Sequence, residues 1–156
     1  MARRRRWMGE RGSIAPLVPI VVLAFFMLGG LIVDGSRDLN ARAEAQAYAE
    51  EAARAGATAV DLTSNDLTLV SSRAKSQVHD YCVAVMASND AVNYCRFDGF
   101  TDATICGGRR VPIVVNAVVK MTINTTLLGI VGLRDLSTTR RAKARPFEGT
   151  TAANAC

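Results

Sequence analysis

The feature that most constrains this chain is an unbroken apolar run, IAPLVPIVVLAFFMLGGLIV, at residues 14–33. Its 20 residues include no charged, hydroxyl or amide side chain. About 20 such residues form a helix that crosses the hydrocarbon core of a bilayer, and a helix satisfies every backbone N–H and C=O group there. The rest of the chain is too small to enclose such a helix as a soluble core. We therefore predict a transmembrane helix over residues 14–33.

The charges around this helix predict its orientation. Residues 1–13 form a basic tail with five arginines and one glutamate, whereas the other residues hold nearly equal numbers of basic and acidic side chains. Positive residues that flank a membrane helix remain in the cytoplasm. We expect a single-pass protein of the cytoplasmic membrane, with the tail inside and residues 34–156 extracytoplasmic. The net charge of +5 is thus mainly a topology signal, and nucleic acid is not a predicted partner.

A cleaved signal peptide is the alternative interpretation of the apolar run. The apolar region of such a peptide usually has about 7–15 residues, fewer than this run contains. Val33 and Gly35 would allow cleavage after Gly35, but the surrounding IVDGS matches the small-x-small pattern poorly. A retained anchor is therefore the prediction.

An alanine-rich segment follows the apolar run. Residues 36–59 contain ten alanines and no proline, and alanine is the best helix former. Two acid-to-arginine pairs at i,i+4 spacing, Asp38 with Arg42 and Glu50 with Arg54, support a helix. This extracytoplasmic helix over residues 34–60 either continues the membrane helix as a stalk or restarts after Gly35.

Residues 61–156 are predicted to form a small α+β domain. An apolar stripe predicts a helix over residues 73–87, and VNYCRF predicts a short strand at 92–97. Residues 111–126 alternate between an apolar and a mixed face, which indicates a long strand. The apolar connector LLGIVGLRD leads to a last strand over residues 136–147. The predicted fold class is α+β, with a long N-terminal helix (a transmembrane half and an amphipathic half), a second helix and a small antiparallel sheet.

The four cysteines, Cys82, Cys95, Cys106 and Cys156, all lie on the predicted outer side. An even number in a small extracytoplasmic domain predicts two disulfides, with three possible connectivities. We favour Cys95–Cys106, because CRFDGFTDATIC can form a hairpin-like loop, and Cys82–Cys156 would then remain. Their wide spacing and the presence of a single histidine, His79, argue against a metal site.

Catalytic chemistry is not predicted. Ser71, Ser72, His79 and Asp80 are close in sequence, but no G-x-S-x-G or comparable motif surrounds them. His79 is expected on the surface of its helix. The segment RRAKAR, residues 140–145, is most simply a solvated strand face, with contact to a polyanion or the cell wall as an alternative. We expect no enzyme activity and no cofactor.

The order of these segments resembles the TadE/TadG-like proteins of Flp (Tad) pilus assembly in their actinobacterial form. The stretch from ERGS to VDGSRDLNARAEAQAYAEEAARAGA carries most of the resemblance, and LLGIVGL and RRAKARP support it. The resemblance implies a pilin-like or pseudopilin-like minor component whose partners are the membrane and other pilus proteins. Processed pilins of this group have a glutamate five residues after a glycine; this chain has none after Gly9 or Gly12, so prepilin-peptidase cleavage is not expected. A membrane-anchored envelope binding module unrelated to pili is the alternative.

Five residues of the long helix are candidates for assembly contacts. Gly29 and Gly30 permit close approach of another helix in lipid. Asp34 either marks the end of the membrane span or makes a polar contact to a neighbouring subunit. Ala45 and Ala49 belong to an alanine stripe that we expect to pack against other subunits, giving a homo- or hetero-oligomer through the N-terminal helix.

Overall fold

A single 41-residue helix, α1 (Leu17–Ala57), carries both the apolar run and the alanine-rich segment. The computed structural model describes residues 16–61, 69–106 and 109–146. Helix α1 continues through Asp34 and Gly35 without a break, so the predicted membrane helix and the alanine-rich helix are one. At 1.5 Å per residue α1 is about 60 Å long. Within the described ranges it is the one helix that is long and apolar enough to cross a membrane, which fits the predicted anchor.

The other elements form an α+β domain on the second half of α1. Helix α2 (Ser71–Ser88) is followed by the strands β1 (Val92–Cys106), β2 (Arg109–Asn124) and β3 (Asp135–Ala144). The strands form one antiparallel sheet in the order β1-β2-β3. A short 3-10 helix, Leu128–Val131, lies between β2 and β3. This arrangement confirms the predicted α+β fold class.

The core of the domain lies between the sheet and the two helices. Strand β2 contributes alternate residues of its predicted core face, Val115, Ala117, Val119 and Met121. Helix α2 contributes Ala74, Val78, Cys82 and Val85. The buried hydrophobic residues that α1 contributes are all alanines, namely Ala45, Ala49, Ala52, Ala53 and Ala57. These small side chains let α1 approach closely: a Cβ added at Gly56 would lie 2.7 Å from Cγ2 of Val78 and 2.8 Å from Cγ1 of Val115.

The burial of the alanine stripe corrects one sequence-based expectation. Ala45 and Ala49 have no exposed surface, and they contact the core of their own chain. They are therefore not free to contact another subunit while the domain is folded. The prediction that they form an assembly surface is wrong, because the sheet and α2 already cover this side of α1.

Strand β1 is longer than the sequence predicts. The prediction ended it at Phe97, because aspartate, glycine and threonine follow. In the structure the register shifts between Phe97 and Gly99, and Gly99 has a φ of 109°. This bulge accommodates the poor strand formers, and pairing with β2 continues to Cys106.

The disulfide pairing also differs from the prediction. Cys82 of α2 is bonded to Cys95 of β1, with their Cα atoms 5.1 Å apart. The predicted Cys95–Cys106 bond is wrong, because one strand separates these residues by 11 positions, or roughly 35 Å at ~3.3 Å per residue. Cys82 is consequently not available to Cys156. The disulfide joins α2 to the sheet on the buried side of both elements.

Some predicted features lie outside the described residues. They include the basic tail at residues 1–13 and Cys156, the predicted partner of Cys82.

Candidate functional site

The candidate site is the junction at which the apolar half of α1, residues 17–33, meets the loop between β2 and β3. In the apolar half the large side chains are exposed along the whole length. Gly30 is buried, and so is Asp34, the first charged residue after the run, with 1% of its surface exposed. We call residues 125–134 the β2–β3 loop. Its first residues cover α1 at this point.

Asp34 binds the backbone of the β2–β3 loop through both carboxylate oxygens. Oδ1 accepts the N–H of Thr126 at 2.9 Å, and Oδ2 accepts those of Leu127 at 3.0 Å and Leu128 at 2.7 Å. These N–H groups follow β2 and open the short 3-10 helix. They have no partner within that helix, because the first N–H groups of any helix lack one. A carboxylate in this position is a strong acceptor for them.

The electrostatics of the junction favour the ionised form of Asp34. The N–H of Leu128 has the largest effect in lowering the pKa of this carboxyl below its usual value, followed by the N–H of Thr126. The N–H of Leu127 and the positive charge of Arg37 act in the same direction, while desolvation opposes them. Arg37 also donates a hydrogen bond to the hydroxyl of Thr126. The loop is thus held to α1 by one carboxylate and one guanidinium on successive turns.

Gly30 provides the space in which the loop meets the helix. A Cβ added at Gly30 would lie 2.8 Å from Cβ of Leu127, closer than real side-chain atoms approach. Gly30 is one turn before Asp34, so the side chain of Leu127 lies against the last turn of the apolar half of α1. Gly29 differs, because nothing lies within 4 Å of a Cβ added there.

The candidate residues of α1 therefore fall into two groups: those that contact their own chain and those that remain open to another helix. The carboxylate of Asp34 contacts its own chain, and its burial leaves no free surface for the alternative contact to a neighbouring subunit. Gly30 is covered by Leu127 and is likewise used within the chain. Of the three residues at the end of the apolar run, Gly29 alone remains open to another helix.

Thr126, Leu127 and Leu128 were missed by the sequence analysis. They are more than 90 positions from Asp34, and their contribution is backbone N–H groups, which any sequence supplies. The available signal was the apolar connector LLGIVGL, which is unusual between two strands of a small domain. Its combination with an aspartate at the end of an apolar helix could have linked the two segments.

The other candidate residues lie on the surface. His79 is exposed on α2, as predicted. On β3, Arg141 and Lys143 are exposed and alternate with the buried Ala142, and Nε of Arg141 lies 3.1 Å from Oδ2 of Asp98. This alternation is what a solvated strand face requires. Among the residues that the structure describes, no cluster of three or more His, Cys, Asp or Glu side chains could hold a metal ion.

Replacing Asp34 with asparagine should release the β2–β3 loop. The amide keeps one acceptor oxygen, and its NH₂ group faces N–H donors that then lack a partner. In Asp34→Asn at neutral pH, we expect the amides of residues 126–128 to exchange hydrogen faster by on the order of tenfold. Asp38→Asn is the control, since Asp38 pairs with Arg42 and does not contact the loop. Unchanged protection in Asp34→Asn would contradict this role.

The same contact should depend on pH in one direction. Because the pKa of Asp34 is lower in the folded protein than its ordinary value of 3.8, the carboxylate stabilises the folded loop above that value. The contribution is lost as pH falls through the lowered pKa. Hydrogen exchange of the loop in the unmodified protein should therefore approach that of Asp34→Asn only in strongly acidic solution.

Comparison with known proteins gives a match, and it covers α1. None of the curated proteins and none of the solved structures compared with the chain matches it. A family model described as putative Flp pilus-assembly TadE/G-like matches residues 12–59. The matched segment includes the whole of α1 and ends before α2. Residues 12–59, which contain Gly29, Gly30 and Asp34, therefore carry the signature of the TadE/G-like Flp pilus-assembly family, and this confirms the resemblance predicted from the sequence.

Proposed function

We propose that this chain is a membrane-anchored, pilin-like minor component of Flp pilus assembly. The family match at residues 12–59 supports involvement in Flp pilus assembly. The observation that carries the finer proposal is the division of α1 into an apolar half with exposed side chains and an alanine-rich half buried in the chain's own domain. The basic tail would remain in the cytoplasm, and the α+β domain would lie outside.

The contacts of α1 make the anchor and the domain one rigid unit. The alanine stripe packs on α2 and the sheet, and Asp34 holds the β2–β3 loop at the membrane end of the domain. A domain attached at two places along a continuous helix cannot swing freely about it. Such a unit suits a structural, non-enzymatic role, in which the position of the anchor fixes the position of the domain.

The apolar half of α1 is the proposed surface for association with other pilus proteins. Its large side chains are exposed, and Gly29 lies among them with free space around it. Small residues permit close helix–helix packing in lipid. The proposed contact to homologous or different pilus subunits is thus confined to residues 17–33.

Replacing Gly29 with leucine should impair pilus assembly without unfolding the domain. The added side chain meets nothing within the chain, but it would separate two helices that pack at this position. Gly35→Leu is the matched control, because a Cβ at Gly35 also meets nothing and points to another side of α1. Surface pili counted by electron microscopy and co-purification with other pilus proteins are the measurements.

Two outcomes would contradict the proposal. Normal pili in Gly29→Leu would remove Gly29 from the assembly surface. Normal pili in a strain that lacks the whole gene would favour the alternative of an envelope binding module unrelated to pili.

A further inference from the structure

The β2–β3 loop exposes large apolar side chains at an unusual density. Outside the apolar half of α1, six large hydrophobic residues among those described are exposed, and three of them belong to this loop. They are Leu127, Ile130 and Leu133, with 37%, 80% and 56% of their surfaces exposed. Ile130 is more exposed than any large side chain of the apolar half of α1. Soluble surfaces rarely concentrate apolar groups in this way without a partner.

The loop lies at the level of the membrane-spanning part of α1. Leu127 contacts Gly30, four residues before Asp34 and therefore about 6 Å deeper along the helix axis. The interfacial layer on each side of a bilayer is roughly 5–8 Å thick. A bilayer that surrounds α1 up to Val33 must therefore also reach Leu127.

Most backbone N–H groups of the loop are hydrogen-bonded within the chain, as an environment with little water requires. Asp34 accepts the N–H groups of residues 126, 127 and 128. Further along the loop, the N–H groups of Ile130, Gly132 and Leu133 bond to carbonyls of the loop itself. The N–H of Thr125 bonds to the carbonyl of Arg134 and closes the loop. Unpaired N–H groups would oppose the entry of a loop into an apolar layer, and these bonds pair seven of the ten N–H groups of residues 125–134.

Cationic side chains flank the loop on its domain side. Arg134 is exposed at the end of the loop, and Arg37 lies one turn above Asp34 and bonds to Thr126. Arginine at the edge of an apolar region places its stem on the apolar surface and its charge among the lipid headgroups.

We propose that the β2–β3 loop is a second membrane contact, whose apolar side chains at Leu127, Ile130 and Leu133 insert into the bilayer interface beside α1. This inference rests on the proposed membrane anchoring of α1. Lipid is the occupant because the loop is continuous with the lipid-facing part of α1 and lies at the same depth. The contact would fix the tilt and rotation of the domain at the membrane surface.

Tryptophan fluorescence in bilayers with brominated acyl chains tests this directly, because bromine quenches tryptophan only within a short distance. The full-length chain has one tryptophan, Trp7, which is first replaced by phenylalanine. In that background we expect the emission of Ile130→Trp in phosphatidylcholine vesicles to be blue-shifted and strongly quenched by lipids brominated near the headgroup end of the chain. Thr139→Trp, at an exposed position of β3, should emit as in water and be quenched several-fold less.

A third variant distinguishes failure of this inference from failure of the anchor. Phe25→Trp reports on the apolar half of α1, where Phe25 is exposed. Because Phe25 lies about 12 Å deeper than Val33 along the helix, this variant is measured with lipids brominated near the methyl end of the chain. Quenching of Phe25→Trp without quenching of Ile130→Trp would overturn the second membrane contact and leave the anchor intact. An unquenched Phe25→Trp would overturn both. A blue shift of Ile130→Trp that disappears in nanodiscs with one chain each would assign the loop to contact with a second protein chain and overturn the lipid assignment.

Discussion

Replacing Ala49 with leucine should destabilise the α+β domain by about 3 kcal/mol, the upper part of the range for overpacked cores. Ala49 has no exposed surface and lies in the core formed with the sheet and α2. The closeness of α1 to its neighbours, seen at Gly56, leaves no room for three additional carbons. A small domain has a total stability of only about 5–15 kcal/mol, so this loss is large. Denaturant unfolding of the full-length protein in detergent, followed by near-UV circular dichroism, measures it.

Ala43→Leu is the matched control for this prediction. Ala43 lies on the same helix and is exposed, so the same substitution should change the free energy of unfolding by no more than about 0.5 kcal/mol. If Ala49→Leu were as stable as Ala43→Leu and failed instead in association with other pilus proteins, the stripe would be an intermolecular surface after all. That result would contradict the packing of α1 described above.

The elements of the fold were largely predictable from local patterns. Helical periodicity predicted α2, and strict alternation predicted the core face of β2. The sequence did not reveal which structural element, of this chain or of another, packs against the alanine stripe of α1. Alanine is a good helix former and packs equally well against a sheet of the same chain or a helix of another, so composition alone does not distinguish these partners.

The contacts at the candidate site depended on distant parts of the chain. Asp34 meets backbone groups 92–94 positions away, and these groups have no sequence signature. The cysteine pairing depended on the extent of β1, since a loop after Phe97 would have brought Cys95 and Cys106 together, whereas a continued strand separates them. Both errors come from the same cause: local sequence does not report contacts between distant segments of the chain.

Removal of the Cys82–Cys95 disulfide should lower the free energy of unfolding by about 3 kcal/mol, as expected for a bond that closes a loop of roughly 15 residues. The bond spans 13 positions and joins α2 to β1, and both cysteines are buried. The double variant Cys82→Ala/Cys95→Ala, measured by the same denaturant unfolding, should show this loss. Cys106→Ala is the control, since Cys106 does not take part in this bond.

Peptide mapping without reduction tests the pairing itself. Trypsin cleaves after Lys75, Arg96 and Arg109, so residues 76–96 form one peptide that contains both Cys82 and Cys95, while Cys106 lies on the next. We expect the 76–96 peptide to be unlinked to its neighbour and lighter by two hydrogens than its reduced form. A species in which peptides 76–96 and 97–109 are joined would establish a Cys106 bond instead. The Cys82–Cys95 bond would then be absent, and the double variant should lose no more stability than Cys106→Ala.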